Sequence, residues 1–260
     1  MSAIKIQVQL GGLLARVTLN RPEKYNAFDR EMLRELGDLV RGVTESEKLR
    51  VLLITGEGKA FCAGADLLAA TKSDSISNYI GTLARAFHSV LDTLAASPAL
   101  VVTLVNGPTA GGGYALALAG DIRLGLPEAV FRVGYGRAGL TMDGGLSWRL
   151  QRLVGFSHAQ RLVFEDPDVD ADEAHALGLI HRVLPPSEVD KALADLVERT
   201  KIQSRGSILR NRQLLLESQG RALGPTFEAE GVLMKTSAGM PDGREGIMAF
   251  VEKRPPKFTS

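Results

Sequence analysis

The chain begins with apolar residues at every second position from Ile4 to Leu10. A period of two predicts a β-strand with one buried face and differs from the continuous apolar run of a signal peptide. The stretch "LLARVTLNRP" predicts a second strand that ends at Pro22. The segment "RVLLITG" at 50–56 is almost wholly apolar, which is typical of a strand buried on both faces of an α/β fold.

Helical spacing appears between and after these strands. From Ala27, "AFDREMLRELGDLVRGV" places apolar residues three and four apart, which predicts an amphipathic helix. Further helices are predicted at 77–96 and after the glycines of "LVNGPTAGGGYALALAGD", among the strands "LVVTLVNG", "DIRLGL" and "AVFRVG". From Pro185 onward the pattern is helical only. The sequence therefore predicts an α/β core of ββα-like units over 1–200 and a C-terminal helical subdomain over 201–260.

Composition and charge narrow the classes of function. The 260 residues include 31 basic and 30 acidic side chains, a formal charge of +1 that argues against a nucleic-acid or anionic-membrane partner. One cysteine, Cys62, excludes an internal disulfide. No zinc-motif spacing links the histidines, so no metal is expected; they are His88, His158, His175 and His181.

The uncharged stretch between Asp92 and Asp121 is long enough to span a membrane. Pro98, Pro108 and a glycine cluster interrupt it, which favours a buried strand, a turn and a buried helix. A cytoplasmic protein is therefore expected.

Two segments have the same order of strand, glycine loop and helix: "VLLITGEGKAFCAGADL" and "LVNGPTAGGGYALALAGD". The first N–H groups of a helix have no partner inside it and lie at its positive end. Two such junctions side by side would form an oxyanion hole for a thioester or ester oxygen. Small residues such as Ala63, Ala65 and Gly112 would let that carbonyl lie against the backbone. Tight helix–sheet packing is the alternative explanation for each loop alone.

Two other features could suggest different chemistry. Gly134, Gly136 and Gly139 satisfy the dinucleotide pattern G-x-G-x-x-G, but "LTMDGG" separates them from the next helix and no acidic residue lies twenty positions further on. Nicotinamide binding is therefore not expected. No histidine motif accompanies Cys62, which favours a small buried residue over a nucleophile.

Five ordered motifs resemble the crotonase superfamily, the enoyl-CoA hydratases and isomerases, over essentially the whole chain. They are "LNRPEKYNAFD", "GKAFCAGADL", "VNGPTAGGGYALALAGDI", "AGLTMDGGLSWRL" and "EGIMAFVEKRPPKF". Within the superfamily, the sequence is most similar to the ring-epoxyphenylacetyl-CoA isomerase branch. The resemblance implies a spiral of ββα turns, C-terminal helices that mediate trimer contacts, and often a dimer of trimers.

The resemblance also implies site residues. An acyl-CoA thioester would place its carbonyl oxygen between the backbone N–H groups of Ala65 and Gly112. The "RPEKYNA" loop, with Lys24 and Ala27, would line the CoA site. Lys257 in the tail is a candidate CoA contact across a subunit boundary or, equally, a solvated terminal residue.

Three more residues complete the predicted substrate site. Ala63 would lie beside the thioester, and Tyr135 would line the acyl pocket. Asp66 is counted with the substrate-binding residues, although its position also suits a carboxylate at a helix start. CoA would enter as part of the substrate, and no separate cofactor is implied.

Two departures from the family pattern bear on the reaction. Hydratases of the superfamily use two glutamates, and this sequence has Ala115 and Tyr135 at those positions. Adding water across a conjugated double bond needs a base and an acid, so efficient hydration is not expected. Asp143 in "GLTMDGG" matches the acidic base of the isomerases, and a single base suffices to move a double bond. Asp143 also suits a helix N-cap.

The sequence therefore predicts an acyl-CoA isomerase that acts on a 3-enoyl-CoA or on an arylacetyl-CoA-derived ring epoxide. Two alternatives stay open: a hydratase with a non-standard acid–base pair, and a catalytically silent acyl-CoA-binding protein.

Overall fold

The computed structural model describes residues 2–259. The strands in this range are β1 (Ile4–Gln9), β2 (Leu14–Leu19), β3 (Val51–Gly56), β4 (Leu100–Val105), β5 (Pro108–Ala110), β6 (Ile122–Gly125), β7 (Val130–Arg132) and β8 (Arg182–Val183). The helices are α1 (Arg30–Thr44), α2 (Leu67–Thr71), α3 (Ile76–Ala95), α4 (Gly112–Ala117), α5 (Leu146–Val154), α6 (Phe156–Phe164), α7 (Ala171–Ala176), α8 (Pro186–Lys201), α9 (Arg205–Ser218), α10 (Leu223–Gly239) and α11 (Pro241–Val251). The mixed α/β order that the sequence predicts is confirmed.

Six strands form the larger sheet, in the order β1-β2-β3-β4-β6-β8. β1 and β2 pair antiparallel, and the other pairs are parallel. Along β3, Leu52 and Ile54 belong to the apolar core that includes α1 and α3, whereas Val51 and Leu53 pack with α8 on the opposite face. The prediction that this strand is buried on both faces is confirmed.

A second, smaller layer brings distant parts of the chain together. β5 pairs with β7 in parallel. On the other side of β5, the Phe61 N–H donates to the Pro108 carbonyl and the Ala110 N–H donates to the Cys62 carbonyl. Beyond residues 60–65, the Phe28 N–H donates to the Gly64 carbonyl, 2.6 Å away. Hydrogen bonds thus fix both predicted glycine loops at one end of this layer.

Helix α1 begins three residues later than its apolar spacing predicts. Asp29 is its N-cap and accepts a hydrogen bond from the Met32 N–H. The backbone of Phe28 is extended because it pairs with the strand-like segment at 64–66. The first apolar residues of the pattern therefore belong to the smaller layer.

The four helices α8 to α11 occupy the part of the chain after Pro185, where the sequence pattern is helical only. α10 and α11 expose large apolar side chains: Leu223, Phe227, Val232, Met234, Ile247, Met248, Phe250 and Val251. Exposed apolar surface of this extent is typical of protein–protein contacts. It is compatible with the trimer implied by the resemblance, which stays a prediction for these helices. Across residues 2–259, every helix is too short or too polar to cross a membrane.

Candidate active site

A cavity of about 490 Å³ lies between α3, the start of α4 and the segment at 134–147. Most of its wall is apolar. Five of the predicted site residues line it together: Ala63, Ala65, Gly112, Tyr135 and Asp143. The fold therefore gathers into one cavity residues that are up to 80 positions apart.

The two glycine loops touch at the wall of this cavity. A side-chain carbon added at Gly64 would lie 2.9 Å from the Ala110 oxygen and 3.0 Å from the Gly112 nitrogen, so only glycine permits this approach. Within residues 2–259, neither the Ala65 N–H nor the Gly112 N–H donates a hydrogen bond. Two unpaired N–H groups on neighbouring loops therefore border the cavity.

The three consecutive glycines have three different reasons. Gly111 has φ +55° and ψ −126°, a conformation that side chains disfavour. A side-chain carbon on Gly112 would lie 3.4 Å from the Phe28 ring in the cavity wall. One on Gly113 would lie 2.0 Å from the Cys62 carbonyl oxygen. The alternative explanation, tight packing, thus applies to Gly113, whereas Gly112 borders the cavity.

Asp143 holds one oxygen in hydrogen bonds and leaves the other unpaired. Oδ1 accepts from the Gly144 N–H and lies 2.5 Å from His88 Nε2, whereas Oδ2 has no partner among the described residues. Helix α5 has Gly145 as its N-cap, without a side-chain cap. The Asp143 carboxylate therefore does not cap this helix, and only its carbonyl accepts a hydrogen bond from Leu146.

His88 is a cavity residue that the sequence interpretation missed. It lies on α3 directly after Phe87, whose buried ring packs 5.1 Å from the Phe28 ring, centroid to centroid. A signal was present, because Ile80, Ala84 and His88 are four residues apart and all line the cavity. A polar residue that continues an apolar helical stripe marks a site to inspect.

The positions of the two family glutamates contain no carboxylate here. Ala115 is fully buried, and Tyr135 lines the cavity. The Tyr135 hydroxyl is buried without a hydrogen-bond partner of normal geometry. Burial, and next the Asp143 carboxylate, raises the pKa of Tyr135, although the nearby Asp143 N–H partly opposes this. Tyr135 is therefore a neutral phenol, and Asp143 is the only carboxylate on the described lining.

Four predicted CoA or substrate contacts are not among the residues that line the cavity: Lys24, Ala27, Asp66 and Lys257. Asp66 is 5% exposed and binds the Lys24 ammonium at 2.8 Å, Arg21 at 2.9 Å and the Ala69 N–H at 3.1 Å. The Ala27 carbonyl accepts from Arg21. These bonds hold Asp66 as the N-cap of α2, and Asp66 is not among the residues that line the cavity.

Lys257 is exposed, and its backbone N–H donates to Glu245. Lys24, Ala27, Asp66 and Lys257 stay predictions as CoA or substrate contacts, because the CoA part of an acyl-CoA would extend beyond this cavity.

Replacing Asp66 with asparagine should destabilise the protein in a pH-dependent way. Burial alone would raise the pKa of Asp66, but hydrogen bonds from Lys24, Ala69 and Arg21 outweigh it and lower the pKa to about 2. An ordinary aspartate has a pKa of about 3.9, so the ionised form stabilises the fold by about 2 kcal/mol above that pH. This contribution is lost as the pH falls through about 2.

Urea unfolding at several pH values measures this effect. Asp66→Asn should lower the free energy of unfolding at pH 7, and the gap to wild type should narrow from about pH 4 downward. Asp38→Asn, which removes an exposed carboxylate on α1, is the matched control and should cost less than about 0.5 kcal/mol. A gap that does not change with pH would contradict the assignment.

The structure explains the glycine pattern at 134–139 and Cys62 without nicotinamide binding or a nucleophilic thiol. Gly136–Ala138 form a single 3-10 turn, and the next α-helix begins only at Leu146. Cys62 is fully buried, and its Sγ lies 3.1 Å from the Asn26 carbonyl oxygen. Burial raises the pKa of the thiol to about 12, so it is not a nucleophile at neutral pH.

Known proteins are similar to this chain in sequence and in fold. The family model described as enoyl-CoA hydratase/isomerase matches residues 11–260. The 1,2-epoxyphenylacetyl-CoA isomerase of Escherichia coli is 31% identical over 250 residues, which cover 94% of each chain. The crotonyl-CoA hydratase of Syntrophomonas wolfei is 32% identical, with 95% of each chain covered. The crystal structure of an enoyl-CoA hydratase from Mycobacterium smegmatis superposes with a TM-score of 0.90 at 27% identity, covering 100% of both chains.

Proposed function

Because the chain belongs to the enoyl-CoA hydratase/isomerase family, we propose that it is an acyl-CoA isomerase with Asp143 as its base. The substrate is a 3-enoyl-CoA or a ring epoxide of an arylacetyl-CoA. The second option follows the named activity of the similar Escherichia coli protein. CoA arrives as part of the substrate, and the reaction as proposed uses no separate cofactor.

For a 3-enoyl-CoA, the proposed reaction moves one proton. The thioester oxygen accepts hydrogen bonds from the N–H groups of Ala65 and Gly112. Asp143 Oδ2 removes a proton from C2, and the C–H electron pair delocalises into a dienolate whose oxygen these N–H groups stabilise. The carboxyl group then returns a proton to C4, which leaves the conjugated 2-enoyl-CoA and an ionised Asp143.

One observation carries the proposal most directly. Asp143 is the only carboxylate among the described cavity residues, and its Oδ2 has no other partner. The apolar wall suits an acyl chain or an aryl ring and weakens the solvation of the thioester. A single base opposite two unpaired N–H groups is the minimum that a double-bond shift requires.

A hydratase is the second candidate because of the His88–Asp143 pair. A histidine 2.5 Å from a carboxylate places two proton-transfer groups in one cavity. Such a pair could activate water and protonate the α-carbon although Ala115 and Tyr135 replace the family's glutamates.

Product analysis in deuterated water separates these functions. The purified protein is offered a 3-enoyl-CoA and, separately, a 2-enoyl-CoA. We expect the 3-enoyl compound to become conjugated and the 2-enoyl compound to yield no 3-hydroxyacyl-CoA.

The other results of this experiment are equally informative. Hydroxyacyl product would support the hydratase. Turnover of neither compound, despite measurable binding, would contradict double-bond isomerisation. A ring epoxide of an arylacetyl-CoA would then be offered as substrate. Its turnover would support epoxide isomerisation, and no turnover would support a silent acyl-CoA-binding protein.

A further inference from the structure

We propose that His88 is a positioning residue that holds Asp143 by Oδ1, so that Oδ2 is the oxygen that removes the substrate proton. This inference rests on the proposed function and adds a residue that neither the motifs nor the comparisons assign. It concerns how the base is oriented, not whether Asp143 is the base.

The two contacts of the carboxylate support this division between its oxygens. His88 Nε2 and the Gly144 N–H both lie within hydrogen-bond distance of Oδ1. The Asp143 side chain is 30% exposed, so without a partner it could rotate toward water. A neutral His88 must carry its proton on Nε2 to donate to an ionised Asp143. Because both donors bind Oδ1, the lone pairs of Oδ2 stay free to accept the substrate proton.

Helix α3 and the loop of the base are locked together next to this contact. A side-chain carbon on Gly144 would lie 2.4 Å from the Phe87 ring and 2.8 Å from Ala115 Cβ, and Gly144 has φ +62°. Only glycine therefore allows the Asp143 loop to lie so close to α3. Phe87 is 3% exposed and precedes His88, so its packing holds the backbone of α3 at His88 next to the Asp143 loop.

Within the described lining, no other side chain forms a hydrogen bond with Asp143. The ionisable residues on the cavity wall are His88, Tyr135 and Asp143, and Tyr135 has no hydrogen bond to the carboxylate. On α3, Arg85 instead bonds Thr82. His88 is thus the single side-chain donor to Asp143 in the described part of the chain.

The test compares two substitutions on the same carboxylate. Glutamine offers an amide N–H at nearly the position of Nε2, whereas leucine has similar bulk and no donor. We expect His88→Leu to lower kcat for the 3-enoyl-CoA about 10- to 100-fold at unchanged KM, because a misdirected base loses alignment. His88→Gln should recover most of this loss. His158→Gln, at an exposed position on α6, is the matched control and should behave as wild type.

The outcomes separate this inference from the proposed function. Equal losses for His88→Leu and His88→Gln would overturn positioning and assign the imidazole a proton-transfer role. Wild-type rates for both variants would also overturn it. If Asp143→Asn is inactive at the same time, the proposed function still stands. If Asp143→Asn is fully active, both proposals fail.

Discussion

Asp143→Asn should lower kcat for double-bond isomerisation about 10²- to 10⁴-fold, the usual contribution of a general base. Asparagine has nearly the same shape as aspartate, and its amide oxygen can still accept from His88 and Gly144. It cannot accept a proton from carbon. The effect should therefore lie almost wholly in kcat, while acyl-CoA binding is retained.

Two measurements check this prediction together. Steady-state kinetics with a 3-enoyl-CoA gives kcat, and calorimetric titration with a non-reactive acyl-CoA gives Kd, which should change less than about threefold, within about 0.6 kcal/mol. Asp172→Asn, at an exposed carboxylate on α7, is the control and should leave both values unchanged. A kcat within a few-fold of wild type would show that Asp143 is not the base.

The second large effect is expected at Gly113, and it concerns stability. An added methyl group would lie 2.0 Å from the Cys62 carbonyl oxygen and 2.7 Å from its carbonyl carbon. Both segments are buried in the smaller layer, so one of them must move its backbone. Overpacking of this kind costs about 1–3 kcal/mol and occasionally more, and we expect Gly113→Ala to reach or exceed the upper figure.

Chemical denaturation of Gly113→Ala and of a matched variant measures this cost. Gly231 is also inside a helix, α10, but a methyl group there would meet nothing within 4 Å. Gly231→Ala should therefore stabilise the protein by about 0.5–1 kcal/mol through helix propensity. Equal stabilities for Gly113→Ala and wild type would contradict the described contact between α4 and residues 60–65.

These contrasts show what the sequence could and could not predict. The apolar run of β3 predicted burial on both faces because almost all of its side chains are apolar, and apolar side chains on either face of a strand are buried. The glycine triplet was harder, since a glycine does not indicate whether a ligand, a dihedral angle or a neighbouring carbonyl excludes its side chain. The structure assigns a different cause to each of Gly111, Gly112 and Gly113.

The interpretation of the site was incomplete where packing between distant parts of the chain decides which residues meet. Asp143 could be named from its motif. Its alternative role as a helix cap could be excluded only from the structure, where α5 begins at Leu146 with Gly145 as its N-cap. His88 lies 55 positions before Asp143, and local spacing cannot show that their elements meet. Its place on the stripe with Ile80 and Ala84 was the only indication. Lys24 and Asp66 pair with each other, and charge alone could not reveal this.

The two walls of the cavity differ in how freely their side chains can be substituted. Ala65 and Gly112 belong to segments held by backbone hydrogen bonds between neighbouring strands, which do not depend on side-chain identity. The opposite wall consists of α3 side chains and the loop residues 138–142, several of them exposed. Substitutions there can reshape the space for the acyl group while the two N–H groups keep their spacing. A lineage with this fold can therefore change the shape of the cavity by small steps while both unpaired N–H groups stay at its wall.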